Sequence, residues 1–422
     1  MFPIGFWKKN FVFLKQLVVS LVLIVVLAPE WPAFQEERYQ IETVVGRRRF
    51  DFLVWEAGAL MVKGEAFLTA GHTYIEEETR KEIVLDYLAL LGEVRRQEAG
   101  INAIYADPAV VDPAAEAREL QMEVAGKRAI LAEWQPIVEE ILQEQVATIL
   151  AEEGFDILNQ AWPPVQMHMT PLPLILIVSP REEIRQIHNI PLQHGLTVAD
   201  QEQIEAAILG TTDRSALIVP IGGLGIYPAM LVETSNLNFL TNTIAHEWAH
   251  HWLTLHPLGI RYTANPALRT INETVASIVG NEVGATVIER YYPEFVPAER
   301  PDESLHPEPG TAPLFNFNRE MAQTRVRVDE LLAEGKAAEA ESYMEERRQF
   351  FWDNGYQIRK LNQAYFAFYG AYADSPGQSG ADPIGPALLS LRQNSPSLRS
   401  FLDDVAPITS LGDLLELMAE ME

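Results

Sequence analysis

Apolar residues recur at helical spacing from Leu237 to Leu255, where Leu240, Ile244, Trp248 and Leu255 mark one side of a helix. Ser235 and Asn236 offer N-cap oxygens before that stretch, and Pro257 and Gly259 end it. Two longer segments, Glu76 to Glu98 and Pro113 to Glu152, are rich in Ala, Glu, Leu, Gln and Arg, all good helix formers. Residues 34–160 therefore read as a helical region. The pattern changes at Trp162-Pro163-Pro164. Short apolar runs from Pro173 to Val178 and Ala216 to Pro220 predict buried strands flanking a helix near Val198 to Leu209. Gly222-Gly223-Leu224-Gly225 reads as a turn into a further strand, Ile226 to Glu233. Pro228 in that strand cannot donate to a ladder, which predicts an edge strand. Residues 293–313 are rich in Pro and Glu without periodicity and read as a linker or loop. Beyond them, Asn316 to Glu334 and Ala337 to Ala373 predict helices, and Pro396 to Glu422 predicts short helices that close the fold.

The first 33 residues have a different pattern. Lys8, Lys9 and Lys15 precede the apolar run Leu17 to Ala28, the order of a signal segment. An uncleaved single anchor is the favoured reading and a cleaved signal peptide its alternative. The lysines predict a cytoplasmic N-terminus with the remainder extracytoplasmic, against which Arg47, Arg48 and Arg49 weigh. The alternative is secretion after cleavage.

Composition narrows the function. The 422 residues suffice for more than one domain, and a net charge of −27 excludes a general phosphate-binding surface, so no nucleic acid partner is expected. That charge also argues against docking on anionic lipid through overall surface charge. The absence of cysteine excludes disulfides, thiolate metal sites and cysteine nucleophiles.

The helix from Leu237 carries His246-Glu247-Trp248-Ala249-His250, an HExxH motif. Residues at i and i+4 stack on one helix face, so His246 and His250 can aim at one point, where zinc accepts imidazole nitrogens. Glu247 projects beside that point, where a general base is wanted. A catalytic zinc usually takes three protein ligands. The HExxHxxGxxH extension is absent, since position 253 is Leu and His256 is out of register. Glu273 is the better third candidate: it shares a face with Ala276, Ser277, Gly280 and Gly284, small residues that permit close approach to the first helix. Glu282 lies off that face. His168, His188 and His194 have no partner at metal spacing, and His251 lies about 100° around the helix from His250, away from the metal but able to line a cleft.

With these residues the chain resembles the gluzincin group of zinc metallopeptidases, which combine HExxH with a downstream NExx(A/S) helix, here Asn272 to Ser277. The resemblance rests on residues 236–285. It implies an α+β, zincin-like core over residues 161–292, a small mixed sheet with an edge strand, flanked by the helical regions 34–160 and 314–422. It further implies one zinc ion held by His246, His250 and Glu273, with Glu247 as base in peptide-bond hydrolysis by a metal-activated water. Many members carry an Asp where this chain has Ser277. In such peptidases the edge strand before the metal helix pairs with extended substrate, a role that falls to Tyr227, Ala229 and Leu231. Leu361-Asn362-Gln363-Ala364 adds a similarity to predicted bacterial aminopeptidases. Asn362, Tyr365 and Tyr369 share a helix face, as a packing stripe or as donors to an oxyanion or substrate. The expected partners are a peptide or protein substrate and a membrane through the N-terminal segment. The alternative is an inactive, membrane-anchored binding or assembly protein that retains the zincin fold. A chance HExxH is the third possibility, and it predicts that the His246, His250 and Glu273 side chains do not converge.

Overall fold

The computed structural model describes residues 36–69, 75–106, 110–297, 315–371 and 383–421. The expected anchor over residues 1–33 and most of the linker over 293–313 lie outside the described residues. Among the described residues no helix is long and apolar enough to cross a membrane.

The chain is α+β and mostly helical. It opens with α1 (Glu36–Val45), a 3-10 turn (Gly46–Arg48), α2 (Phe52–Thr69), α3 (Glu77–Ala106) and α4 (Pro113–Glu152). Asp112 caps α4 by accepting from the Ala115 N–H, and Pro113 stands at the first position, where a missing N–H costs nothing. A small hairpin, β1 (Asp156–Ile157) and β2 (Gln160–Ala161), leads to β3 (Met167–Met169), β4 (Leu174–Ser179) and β5 (His188–Leu192). Next come α5 (Val198–Thr212), β6 (Ser215–Pro220), β7 (Gly223–Leu224) and β8 (Ala229–Leu231). α6 (Leu237–Leu253), the one-turn α7 (Pro257–Ile260) and α8 (Pro266–Tyr291) follow. After the linker come α9 (Phe317–Ala333), α10 (Ala337–Asp353), α11 (Gln363–Tyr369), α12 (Ile384–Asn394), α13 (Leu398–Val405) and α14 (Leu411–Met421).

The strands make two separate three-stranded sheets rather than one mixed sheet. In the first, β4 is central and pairs antiparallel with β5 and β6. Its two faces are covered from opposite sides. Ile175, Ile177, Leu217 and Val219 pack on residues of α9, α10 and α11. Leu176, Val178, Ala216 and Ile218 pack on residues of α1 and α5. A strand covered on both faces reads as a continuous apolar run, which is why β4 and β6 were legible.

The second sheet has the order β3-β8-β7, with β8 parallel to β3 and antiparallel to β7. The expected edge strand is therefore central. Met167 to Met169, too short to signal itself, takes the side left for substrate, and Pro228 precedes the ladder instead of interrupting it. Ala229 and Leu231 are 2% and 1% exposed, so neither can receive a peptide. Of the two edge strands, β3 has its Met167 and Met169 N–H groups taken by Gln143 and Glu139, and the other is β7, Gly223–Leu224, the stretch read as a turn.

One apolar core joins this second sheet to α3, α4, α6, α8 and the C-terminal helices α12 to α14. Trp248 of α6 is buried in it, against Phe155 at a centroid distance of 5.2 Å, with its indole N–H donating to the Pro163 carbonyl at 2.7 Å. The helix expected from Ala337 to Ala373 is broken between α10 and α11, where Gly355 adopts φ +89° and stops α10.

Candidate metal centre

α6 begins where Asn236 accepts from the Phe239 N–H, and α8 where Asn265 accepts from the Leu268 N–H. The two helices lie against each other along a seam of small residues. A Cβ added to Gly284 would stand 2.8 Å from Asn242 Cα, and one on Gly280 would stand 2.9 Å from the Asn242 carbonyl oxygen and 3.1 Å from His246 Cβ. That closeness brings the carboxylate of Glu273 across to the HExxH face.

His246 Nε2 and His250 Nε2 are 3.1 Å apart. Glu273 Oε2 is 3.7 Å from the first and 3.6 Å from the second. Ligands about 2.0–2.1 Å from a tetrahedral zinc stand roughly 3.3–3.4 Å from one another, so the triangle of donors has the size a small cation needs. Among the described residues this is the group of His and acidic side chains that could hold a metal ion. The three side chains converge, the arrangement that a chance motif does not predict.

His250 Nδ1 lies 2.8 Å from Asn272 Oδ1. An amide oxygen accepts, so Nδ1 donates, and Nε2 is the nitrogen that a neutral ring would offer beside the other donors. Asn272 thus fixes the orientation of the His250 ring. Tyr262, absent from the expected site, donates its hydroxyl to Glu273 Oε1 and leaves Oε2 to face the imidazoles. Arg269 Nε donates to the Tyr262 oxygen at 3.4 Å and Arg269 Nη1 to the Ala367 carbonyl at 3.0 Å.

The charges are coupled. Burial penalises ionised Glu273, but the adjacent His250 and His246 outweigh it and hold its carboxyl well below the ordinary value. Burial would likewise lower His250, but Glu273 reverses the effect and lifts it to about 9. Glu247 is pushed up, chiefly by burial, with the two imidazoles opposing. Its carboxylate lies under β7, where a Cβ on Gly223 would come within 2.1 Å of Oε1 and one on Gly225 within 3.3 Å of Oε2. A side chain on Gly223 would displace the Glu247 carboxylate, so the run read as a turn is a wall of the site.

The donors line a cleft of about 330 Å³, walled by Ile221, Leu224, Tyr262, Arg269 and Phe368. That volume suits a small ligand or one or two residues of a peptide. A larger groove of about 1310 Å³ shares Tyr262 and Arg269 with it but contains none of the donors.

Other expected site residues lie elsewhere. Asn362 caps α11, accepting from the Tyr365 N–H at 2.9 Å and donating to the Ala216 carbonyl at 3.0 Å. Tyr365 and Tyr369 stack on each other at 4.5 Å and pack with the first sheet. None of the three lines the cleft; the residue of α11 that does is Phe368. Tyr365 is buried in the cluster that holds Ile175, Ile177, Leu217 and Val219 of the first sheet. Tyr227 rests on His251, at 5.1 Å between centroids, while His251 Nε2 donates to the Ile226 carbonyl at 2.7 Å, so neither faces the donors. Glu282 is held by Arg392 Nη2 at 2.8 Å, off the site as expected. His168 and His188 are taken up by Glu139 and Glu37.

Comparison with protein-family models, with curated proteins and with solved structures gave no match to this chain.

Proposed function

We propose that this chain is a metal-dependent peptidase with a zincin-like core, holding one zinc ion on His246, His250 and Glu273. The observation that carries the reading is the triangle of three donor atoms, 3.1 to 3.7 Å on a side, with a fourth ionisable group, Glu247, next to it. A His₂Glu set is a catalytic zinc donor set. Zinc, when bound, supplies Lewis-acid polarisation of a carbonyl and a lowered pKa for water.

The protein's own groups do the rest. Asn272 holds His250 in the Nδ1–H tautomer. Tyr262 occupies Glu273 Oε1 and so keeps that carboxylate to a single ligating oxygen. Glu247 takes a proton from the attacking water and returns it to the leaving amine, its place beside the donor triangle suiting both steps. The free edge of β7 runs beside Glu247, and an extended peptide added there would present its carbonyl over the donors. This moves the substrate strand from Tyr227, Ala229 and Leu231 to Gly223 and Leu224.

A second reading is a metal-holding protein without turnover. Favouring it is the cover over Glu247, which is 4% exposed beneath the Gly223 backbone.

Elemental analysis of the full chain in detergent, with His246→Ala and Glu273→Ala beside it, tests the ligand set. About one zinc per wild-type chain, lost in both variants, is expected. A folded wild type that takes up no divalent metal overturns both readings. A peptide-library digest then separates them: cleavage by wild type and none by Glu247→Gln supports the peptidase, whereas zinc-loaded wild type as inert as Glu247→Gln leaves the second reading.

A further inference from the structure

α2 has its polarity reversed. Leu53, Val54, Ala57, Leu60 and Met61 fall at i, i+1, i+4, i+7 and i+8, one continuous helix face. That face points outward: the four large side chains are 79%, 71%, 50% and 71% exposed. The opposite face, Trp55, Ala59 and Lys63, points into the protein. Lys63 is 7% exposed, with its ammonium 2.6 Å from Glu139 Oε2 and 3.7 Å from Glu140 Oε1. A helix that buries its lysine and presents leucine, valine and methionine is built for surroundings other than water.

Three observations identify those surroundings. First, α2 follows Arg47-Arg48-Arg49, three consecutive cations in a chain of net charge −27, with Arg47 and Arg49 exposed. Cations beside an apolar face are complementary to lipid phosphates over acyl chains. Second, the chain enters this region from the apolar run Leu17 to Ala28, which ends a short stretch before α1. Third, α2 is tied to the body just before its start, at Trp55 and again at Lys63. The Phe50 N–H donates to the Pro191 carbonyl at 3.0 Å and the Gln193 N–H to the Arg48 carbonyl at 2.7 Å. Trp55 Nε1 donates to Thr170 Oγ1 at 3.3 Å, and Lys63 closes the ion pair with α4.

We propose that the Arg47–Arg49 turn and the outer face of α2 lie in the headgroup layer of a lipid bilayer, with the apolar side chains among the acyl chains. The helix does not cross the membrane. It rests on it, and because it is tied to the body at Trp55 and Lys63 it sets the orientation of the whole body against the lipid. This inference does not depend on the metal centre.

The full chain carries the apolar run Leu17 to Ala28, so vesicle association alone would not report on α2. The absence of cysteine makes site-specific probes simple. Leu53→Cys, Ala57→Cys and Met61→Cys, each in the full chain, take an environment-sensitive fluorophore, with Glu339→Cys on exposed α10 as the reference. Each is reconstituted into phosphatidylcholine–phosphatidylglycerol vesicles and quenched by spin-labelled lipid or by aqueous iodide. At the three α2 positions, lipid-borne quenching several-fold stronger than at position 339 and weaker iodide quenching are expected. Iodide quenching equal to the reference, with no lipid quenching, overturns the proposal because the face then lies in water. Protection from both quenchers also overturns it, because the face is then covered by protein, either residues 1–35 or a second copy. Thermal melts of the labelled chains matching wild type establish that the probes sit on the native fold.

Discussion

His250 can lend Nε2 to a cation because Asn272 has claimed Nδ1 at 2.8 Å. Asn272→Ala removes that acceptor and frees the ring to turn; metal affinity read by chelator competition should fall about 10–100-fold, as for other ligand-orienting partners. Gly223→Ala inserts a methyl 2.1 Å from Glu247 Oε1. Hydrolysis should then be lost while zinc content stays at the wild-type value, because Glu247 is displaced and the three donors are not. At this scale the sequence was informative where relations are local. His246 and His250 are one helical turn apart, so their convergence follows from the period alone. Tyr262, Arg269 and Gly223 reach the site through space, and no spacing rule marks them. Asn362, Tyr365 and Tyr369 were selected for sharing a face, which a period can show; that the face packs on β6 is tertiary information.

The contact between α6 and α8 is where element geometry becomes site geometry. A methyl on Gly284 would meet Asn242 Cα and N at 2.8 Å, backbone that cannot turn aside. Gly284→Ala should therefore push the helices apart, lowering stability in urea by about 1–3 kcal/mol and weakening zinc binding with it. Gly210 of α5 meets nothing within 4 Å, so Gly210→Ala should act in the opposite direction, adding about 0.4–1 kcal/mol by narrowing the unfolded ensemble. The small residues on α8 made this seam legible, since a stripe of them on one face has few other uses beside a metal helix. The strand order was not legible. Two sheets differ from one only in long-range pairing, the second is built of strands of two or three residues, and β3, which turns β8 from edge to centre, spans only Met167–Met169.

At the scale of the whole molecule, one buried ion pair ties α2 to α4. Lys63 and Glu139 form a nearly dry pair, and Lys63→Ala leaves a carboxylate inside; breaking such a pair should cost about 3–5 kcal/mol at neutral pH. The pH dependence has a definite sign. Burial alone would raise Glu139, but Lys63 and His168 overcome it and hold its carboxyl below the ordinary value. A carboxyl lowered on folding contributes stability above its unfolded pKa of about 4.3 and loses it as pH falls through the folded value. The gap between wild type and Lys63→Ala should thus shrink on acidification below about pH 4, measured as urea midpoints across pH. Removing metal with a chelator should lower the melting temperature, by an amount that grows with the free zinc concentration of the reference sample, and should leave His246→Ala unmoved. The helical regions at both ends of the sequence were legible as helices. That α3 and α4 share one core with α6, α8 and α12 to α14 was not, because it joins residues far apart in the chain.

The donors, with the residues that orient them, all fall between His246 and Glu273, on two helices and their short connection. Closing so short a loop costs little entropy, and contacts this local form early in folding. The walls of the cleft do not share that advantage: Gly223 must pair with β8, and Phe368 arrives from a segment made long after α8. On the ribosome, where synthesis runs from the N-terminus at about 5–20 residues per second, the donor triangle can be complete before Phe368 has been added. On the reading proposed above, metal capture would then belong to the biogenesis of the protein as much as to its action, with the ion as a nucleus for the later helices.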